Sequence, residues 1–127
     1  VQQLIMVEIF IPGNVPSSKN GRVWTGKFFI ASKSVQKWRK ETEPYWKQHK
    51  QQFLDALEGL EKPYKISMRF VRGSKHAFDY LNPAQTIQDE MVKHGWLEDD
   101  NASIVIPVFE PFSYDKKNPG VYVNIIR

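Results

Sequence analysis

A single α+β domain of two layers, with a mixed β-sheet packed on two helices, is the fold class this sequence predicts. Three observations lead there. The chain has 127 residues, enough for one sizeable hydrophobic core and too few for two. Its composition, 41 % hydrophobic and 25 % charged, is that of an ordinary globular domain and excludes disorder and fibrous repeats. The segments run strand, loop and hairpin, helix, strand, helix, strand, strand, an order too irregular for a doubly wound parallel sheet. No internal repeat or linker divides residues 1–127, so one domain is expected throughout.

Each element has a local reason. Gln3 to Ile11 carries apolar residues on both alternating faces, Leu4, Met6 and Phe10 against Ile5, Val7, Ile9 and Ile11, which predicts an interior strand. Pro12 to Asn20 concentrates proline, glycine, asparagine and serine and reads as a loop. Val23-Trp24 and Phe28-Phe29-Ile30 flank Thr25-Gly26-Lys27, the pattern of a hairpin. Ser34 can cap a helix whose apolar side runs through Val35, Trp38, Tyr45, Phe53, Leu57 and Leu60. Pro44 should kink or break it, because proline cannot bond the carbonyl of Lys40.

Tyr64 to Arg72 alternates as a strand with one wetter face. Asn82-Pro83, then Ala84, Ile87 and Met91, then Gly95, predicts a short helix with an N-cap, a proline at its first position and a glycine stop. Ser103 to Phe109, interrupted by Pro107, and Val121 to Ile126 supply two more strands. The Pro111 to Gly120 loop separates them, with Asn118-Pro119-Gly120 as its turn.

With no cysteine in the chain, disulfide scaffolds, thiolate metal sites and thiol nucleophiles are excluded, and a reducing cytosol is the expected setting. The apolar run Leu4 to Ile11 is too short to span a bilayer and follows no basic segment, so a cytoplasmic protein without a membrane partner is expected. The net charge of +4 is mild, but its distribution is uneven. Up to Lys75 there are fourteen basic and six acidic residues (+8), and from His76 onward four basic and eight acidic (−4). Such a division suits a protein that grips phosphates with one part and holds a divalent cation with carboxylate oxygens of another, although solvated helix faces are also charged.

The acidic part reads Asp79-Tyr80-Leu81-Asn82, then Asp89-Glu90, then Glu98-Asp99-Asp100-Asn101. The helix between them is only about 15–20 Å long and the chain reverses after Gly95, so Asp79, Asp89, Asp99 and Asp100 could converge. Converging carboxylates repel, and Mg²⁺, or Mn²⁺, is the natural compensation in a chain without thiolates. Gln85 and Asp89 stand one turn apart, on a face that Ile87 and Met91 do not share. Plainer roles exist: Asp79 at the positive end of the helix, Asp89 as a solvated residue, and Asp99-Asp100-Asn101 as turn chemistry.

Other catalytic signatures are absent. No glycine-rich phosphate loop occurs, His49, His76 and His94 lack metal-ligand spacing, and Ser17 and Ser18 have no nearby base. No small-molecule cofactor is expected. For nucleic acid, the candidate contacts are Lys19, Asn20, Arg22, Lys27 and Lys33 around the loop and hairpin, and Arg69, Arg72 and Lys75 on and after the central strand. Trp24, Phe28 and Phe29 are interleaved with these bases and could stack on nucleobases or simply pack.

These residues resemble the RusA-type Holliday-junction resolvases over most of the chain. The resemblance begins with the early strand and the loop Pro16-Ser17-Ser18-Lys19-Asn20-Gly21-Arg22, and continues through Gly26-Lys27-Phe28-Phe29. It is most specific at Asp79-x-x-Asn82, Asp89, Gly95 and Asp99-Asp100, whose spacings agree without a gap. It implies a RusA-like, Mg²⁺-dependent homodimeric endodeoxyribonuclease that resolves four-way junctions by paired nicks in DNA recombination and repair, often encoded by a phage or prophage. Asp79 matches the first essential aspartate, Asp89 the helix aspartate and Asp100 the essential member of the later pair. The resemblance thus implies Asp79, Asp89 and Asp100 as metal ligands, with Asp99 in support. Two positions depart from the pattern: Leu81 replaces an aspartate and Gln85 a lysine. Leucine cannot bind a hard cation and glutamine carries no positive charge. A protein of this kind that binds branched DNA without cutting it is therefore the alternative, and an interaction module with a basic face a third.

Overall fold

The computed structural model describes residues 8–16, 22–24, 26, 29–31 and 33–127. Its elements are β1 (Glu8–Pro12), β2 (Arg22–Trp24), β3 (Phe29–Ala31), α1 (Lys33–Leu57), β4 (Tyr64–Arg72), α2 (Leu81–Lys93), β5 (Val105–Phe109), β6 (Ser113–Tyr114) and β7 (Gly120–Ile126). The fold is α+β. A mixed sheet of five strands runs β1-β7-β4-β5, with β6 also on β4, and β2 and β3 pair separately. At its centre β4 is antiparallel to β7 and parallel to β5 and β6.

One face of this sheet makes the core. Ile9 and Ile11 of β1, Val121 and Val123 of β7, and Ile66, Met68 and Phe70 of β4 are almost wholly buried in one cluster with Trp38, Trp46 and Phe53 of α1 and Ile87 and Met91 of α2. Each such side chain contributes about 1.5–3 kcal/mol by leaving water. The opposite face carries Phe10 against Tyr122, 4.6 Å between ring centres, and the Arg69 guanidinium 4.0 Å from the centre of the Tyr122 ring.

Several sequence expectations are corrected. β1 is the end strand of the described sheet rather than an interior one; on its second face Phe10 packs on Tyr122, and residues 3–7 of the expected strand lie outside the described residues. Pro44 does not break α1, which is unbroken from Lys33 to Leu57 and takes in Ser34, expected as its cap. The buried stripe is Val35, Trp38, Thr42, Trp46, Phe53, Ala56 and Leu57, whereas Tyr45 is 38 % exposed. Thr42 belongs to that stripe because its hydroxyl donates to the Trp38 carbonyl (2.9 Å) and accepts from the Trp46 indole N–H (3.1 Å). Pro107 lies within β5, at the sheet edge where a missing donor is tolerated. The short β6 falls in a segment expected to be loop only.

Gly120 shows why β7 must begin as it does. A Cβ there would stand 2.5 Å from the Ile11 carbonyl oxygen, so any side chain would push β1 off β7.

Candidate functional site

The site is built on α2. Its buried side, Ala84, Ile87 and Met91, anchors it to the sheet, and helical periodicity then leaves Asn82, Gln85 and Asp89 on another face. Asn82, expected as the N-cap, lies inside the helix. The capping oxygen belongs to Asp79, whose Oδ1 accepts the Asn82 backbone N–H at 3.0 Å. A carboxylate there also favours the positive end of the helix dipole.

After α2 the chain turns at Gly95, in the left-handed region at φ +77°. Trp96 and Leu97 then bury, their backbone N–H groups both donating to the Met91 carbonyl. The Trp96 indole N–H donates to the Trp46 carbonyl at 2.9 Å, which fastens the returning chain to α1. Asp99 forms the next turn: its Oδ1 accepts the Asp100 N–H (2.8 Å) and its Oδ2 the Asn101 side-chain amide (2.9 Å). These two bonds, the backbone one foremost, hold the Asp99 carboxyl below its ordinary range.

The turn delivers Asp100 to α2. Gln85 Nε2 donates to Asp89 Oδ1 at 2.8 Å and to Asp100 Oδ2 at 2.9 Å. One amide nitrogen has two hydrogens, and each meets a carboxylate. The two carboxylate oxygens are thus no farther apart than these two bonds laid end to end. The arrangement joins residues fifteen positions apart, Gln85 and Asp100, and makes Gln85 the centre of the cluster.

Asp79 is not joined to this pair in a group that could enclose an ion: among the described residues no three histidine or carboxylate side chains are so placed. Asp79 instead lines a cleft of about 390 Å³ with Asn14, Val15, Trp38, Arg72 and Phe78. Arg72 Nη1 donates to the Val15 carbonyl (2.9 Å), and its guanidinium lies 4.7 Å from the centre of the Phe78 ring. Burial lowers the Arg72 pKa, and the Asp79 charge acts the opposite way; a guanidinium remains a cation. The buried Trp38 indole N–H has no hydrogen-bond partner among the described residues.

The basic residues are divided. Lys33 is exposed at the start of α1, Arg72 is the last residue of β4, and Lys75 is exposed just after it. Arg69 sits on the opposite face of the sheet, between Glu8 (3.7 Å) and Glu110 (3.8 Å), and does not join them. Lys19, Asn20, Lys27 and Phe28, and the side chains of Arg22, Trp24 and Phe29, lie outside the described residues.

Behind α2 is a cluster that sequence reasoning missed. Glu90, 1 % exposed, meets Arg39 Nε at 3.3 Å and His94 Nε2 at 3.1 Å, and His94 stacks on Trp46. The only signal for it was the Glu90-x-x-x-His94 spacing on one helix face. Among the described residues no helix is long and apolar enough to cross a membrane. No protein-family model matches the chain, and no curated protein matches it either.

Proposed function

We propose that this protein is a divalent-metal-dependent endonuclease acting on branched DNA, of the kind its motif resembles. The single observation that carries the reading is the convergence of Asp89 and Asp100 on the Gln85 amide. Two carboxylates brought together on the surface form the donor set that Mg²⁺ takes in phosphoryl chemistry: one or two carboxylates, with water and substrate phosphate completing the shell. The residues fit such an ion. Asp89 and Asp100 would hold it, and Gln85, turned about its last bond, would offer its amide oxygen in place of N–H. A bound ion of this kind activates water and neutralises charge on the phosphoryl group.

The other groups position DNA. Arg72, Lys75 and Lys33 present cations to backbone phosphates, which set register without reading sequence. Asp79 fixes the first turn of α2, and with it the direction of the Gln85–Asp89 face. Two symmetric nicks in a four-way junction require two sites related by a two-fold axis, which a homodimer would supply.

A second reading is favoured by Leu81 and by the missing third carboxylate. Leu81 is 73 % exposed where the resembled motif has an aspartate, and no three-ligand group exists among the described residues. The protein would then bind junctions without cutting. A labelled four-way junction and a linear duplex, each incubated with Mg²⁺, Mn²⁺ or EDTA, separate the readings. Paired metal-dependent nicks, lost in Asp89→Asn, are expected of the nuclease. Salt-sensitive junction binding with no nick in either metal leaves the binding protein, and absence of binding at low salt removes both.

A further inference from the structure

A second surface is built on the segment that leads from β4 into α2 and has no part in holding a metal. β6 pairs with the end of β4, placing Ser113 beside Val71 and Tyr114 beside Arg72, and so brings the 112–117 segment alongside the residues that lead to Asp79. Two aromatic side chains there are left half in water: Phe112 is 49 % and Tyr114 44 % exposed. They are not loose. Phe112 leans on Phe78 (5.2 Å between ring centres) and Tyr80 (6.2 Å), and its backbone N–H donates to the Tyr80 hydroxyl at 3.1 Å. Tyr80 in turn stacks on Phe109, and Phe78 packs on the buried Phe70. The Asp115 N–H donates to the Arg72 carbonyl at 2.9 Å, tying the segment to β4.

Cations lie along the same segment. Lys75 Nζ stands 5.1 Å from the centre of the Tyr114 ring, Arg72 covers Phe78, and Lys116 and Lys117 are exposed in the turn that follows. The one carboxylate of that turn, Asp115, accepts the backbone N–H groups of Lys117 and Asn118. Exposed, rigidly backed aromatic faces within a cationic rim match a single nucleic-acid strand: each base has a π-face to stack, and each phosphate a charge to neutralise. A neutral protein partner would leave these lysines without counter-charges.

We propose that Phe112 and Tyr114 form a platform on which unpaired bases of a branched or single-stranded DNA stack, with Lys75, Lys116 and Lys117 holding the adjoining phosphates. This rests on the nucleic-acid reading above and adds to it the part of the substrate recognised. Exposed Leu81, next in the chain to Tyr80, is a further apolar side chain, where an aspartate would repel the strand.

The test uses the whole chain with a forked DNA carrying 2-aminopurine in its unpaired arm, and a blunt duplex of equal length. Binding of the fork should quench 2-aminopurine fluorescence. Phe112→Ala and Tyr114→Ala should each weaken fork binding by about 5- to 150-fold, the range of one lost base–aromatic stack, and leave duplex affinity within about twofold, since duplex is held through phosphates. Phe112→Leu, which keeps apolar bulk without a π-face, should behave like Phe112→Ala, and Phe112→Trp like the wild type. Equal losses on fork and duplex, or unchanged fork binding with no quenching, would overturn the platform alone. So would a change in sedimentation of Phe112→Ala without DNA, which would make the patch a protein interface. Failure of the wild type to bind either DNA would instead remove the nucleic-acid reading beneath it.

Discussion

At the scale of single residues, the molecule turns on a glutamine. Gln85 bonds both Asp89 and Asp100, and its two N–H groups screen two anions from each other. Truncation to alanine leaves that repulsion uncompensated. Because the groups face solvent, Gln85→Ala is expected to lower stability by only about 1 kcal/mol, read as a lower urea midpoint at unchanged slope. Asp99 does a different job with the same chemistry. Its carboxyl is held below its ordinary value by the Asp100 N–H and then by the Asn101 amide, so a folded pKa depressed below the unfolded one applies. The stabilisation is complete above the ordinary value of 3.8 and is lost as pH falls through the depressed one. NMR titration should therefore find the Asp100 amide shift steady from neutral pH down to about 4 and moving only below it.

At the scale of elements, α1 and α2 show what periodicity can and cannot convey. The existence of α2 and its end near Gly95 were legible because proline and glycine bracket an apolar spacing, although the helix starts at Leu81, ahead of the expected cap Asn82; β4 was legible because it alternates over its whole length. The course of α1 through Pro44 was not, since local chemistry argues for a break while the buried stripe from Trp38 through Trp46 to Phe53 holds the helix together across it. Pro44 is exposed and leaves the Lys40 carbonyl without its helical donor, so Pro44→Ala should stabilise by about 1–3 kcal/mol. A lower urea midpoint instead would mean that the ring packs usefully. The two helices are also joined by Glu90, a carboxylate buried against Arg39 and His94. Glu90→Ala should cost about 2–3 kcal/mol, below the full cost of breaking a buried pair because Arg39 reaches water. Thermal unfolding of the variant checks this.

Across the whole molecule, the uneven charge found along the chain becomes a spatial arrangement. Arg72 ends the central strand and Lys75 comes shortly after it, whereas Asp79 precedes α2, Asp89 lies on it and Asp100 follows the turn at its end. The α+β class and the mixed sheet were readable from element order; the end position of β1 in the described sheet was not, because Phe10 on Tyr122 imitates a second buried face. Asp89 and Asp100 were legible as candidates from spacing, but their meeting depends on the angle at Gly95 and on the Asp99 turn, which no periodicity encodes. Asp99, counted among the acidic candidates, has both oxygens engaged by that turn. This difference between neighbours allows the most direct test of the proposed nuclease. Single-turnover nicking of a four-way junction in Mg²⁺ should be lost by at least about 100-fold in Asp100→Asn, as expected when a ligand of the catalytic ion is removed, and far less in Asp99→Asn. A wild-type protein that leaves the junction intact in every metal, or an Asp100→Asn variant that cuts as well as wild type, would contradict it.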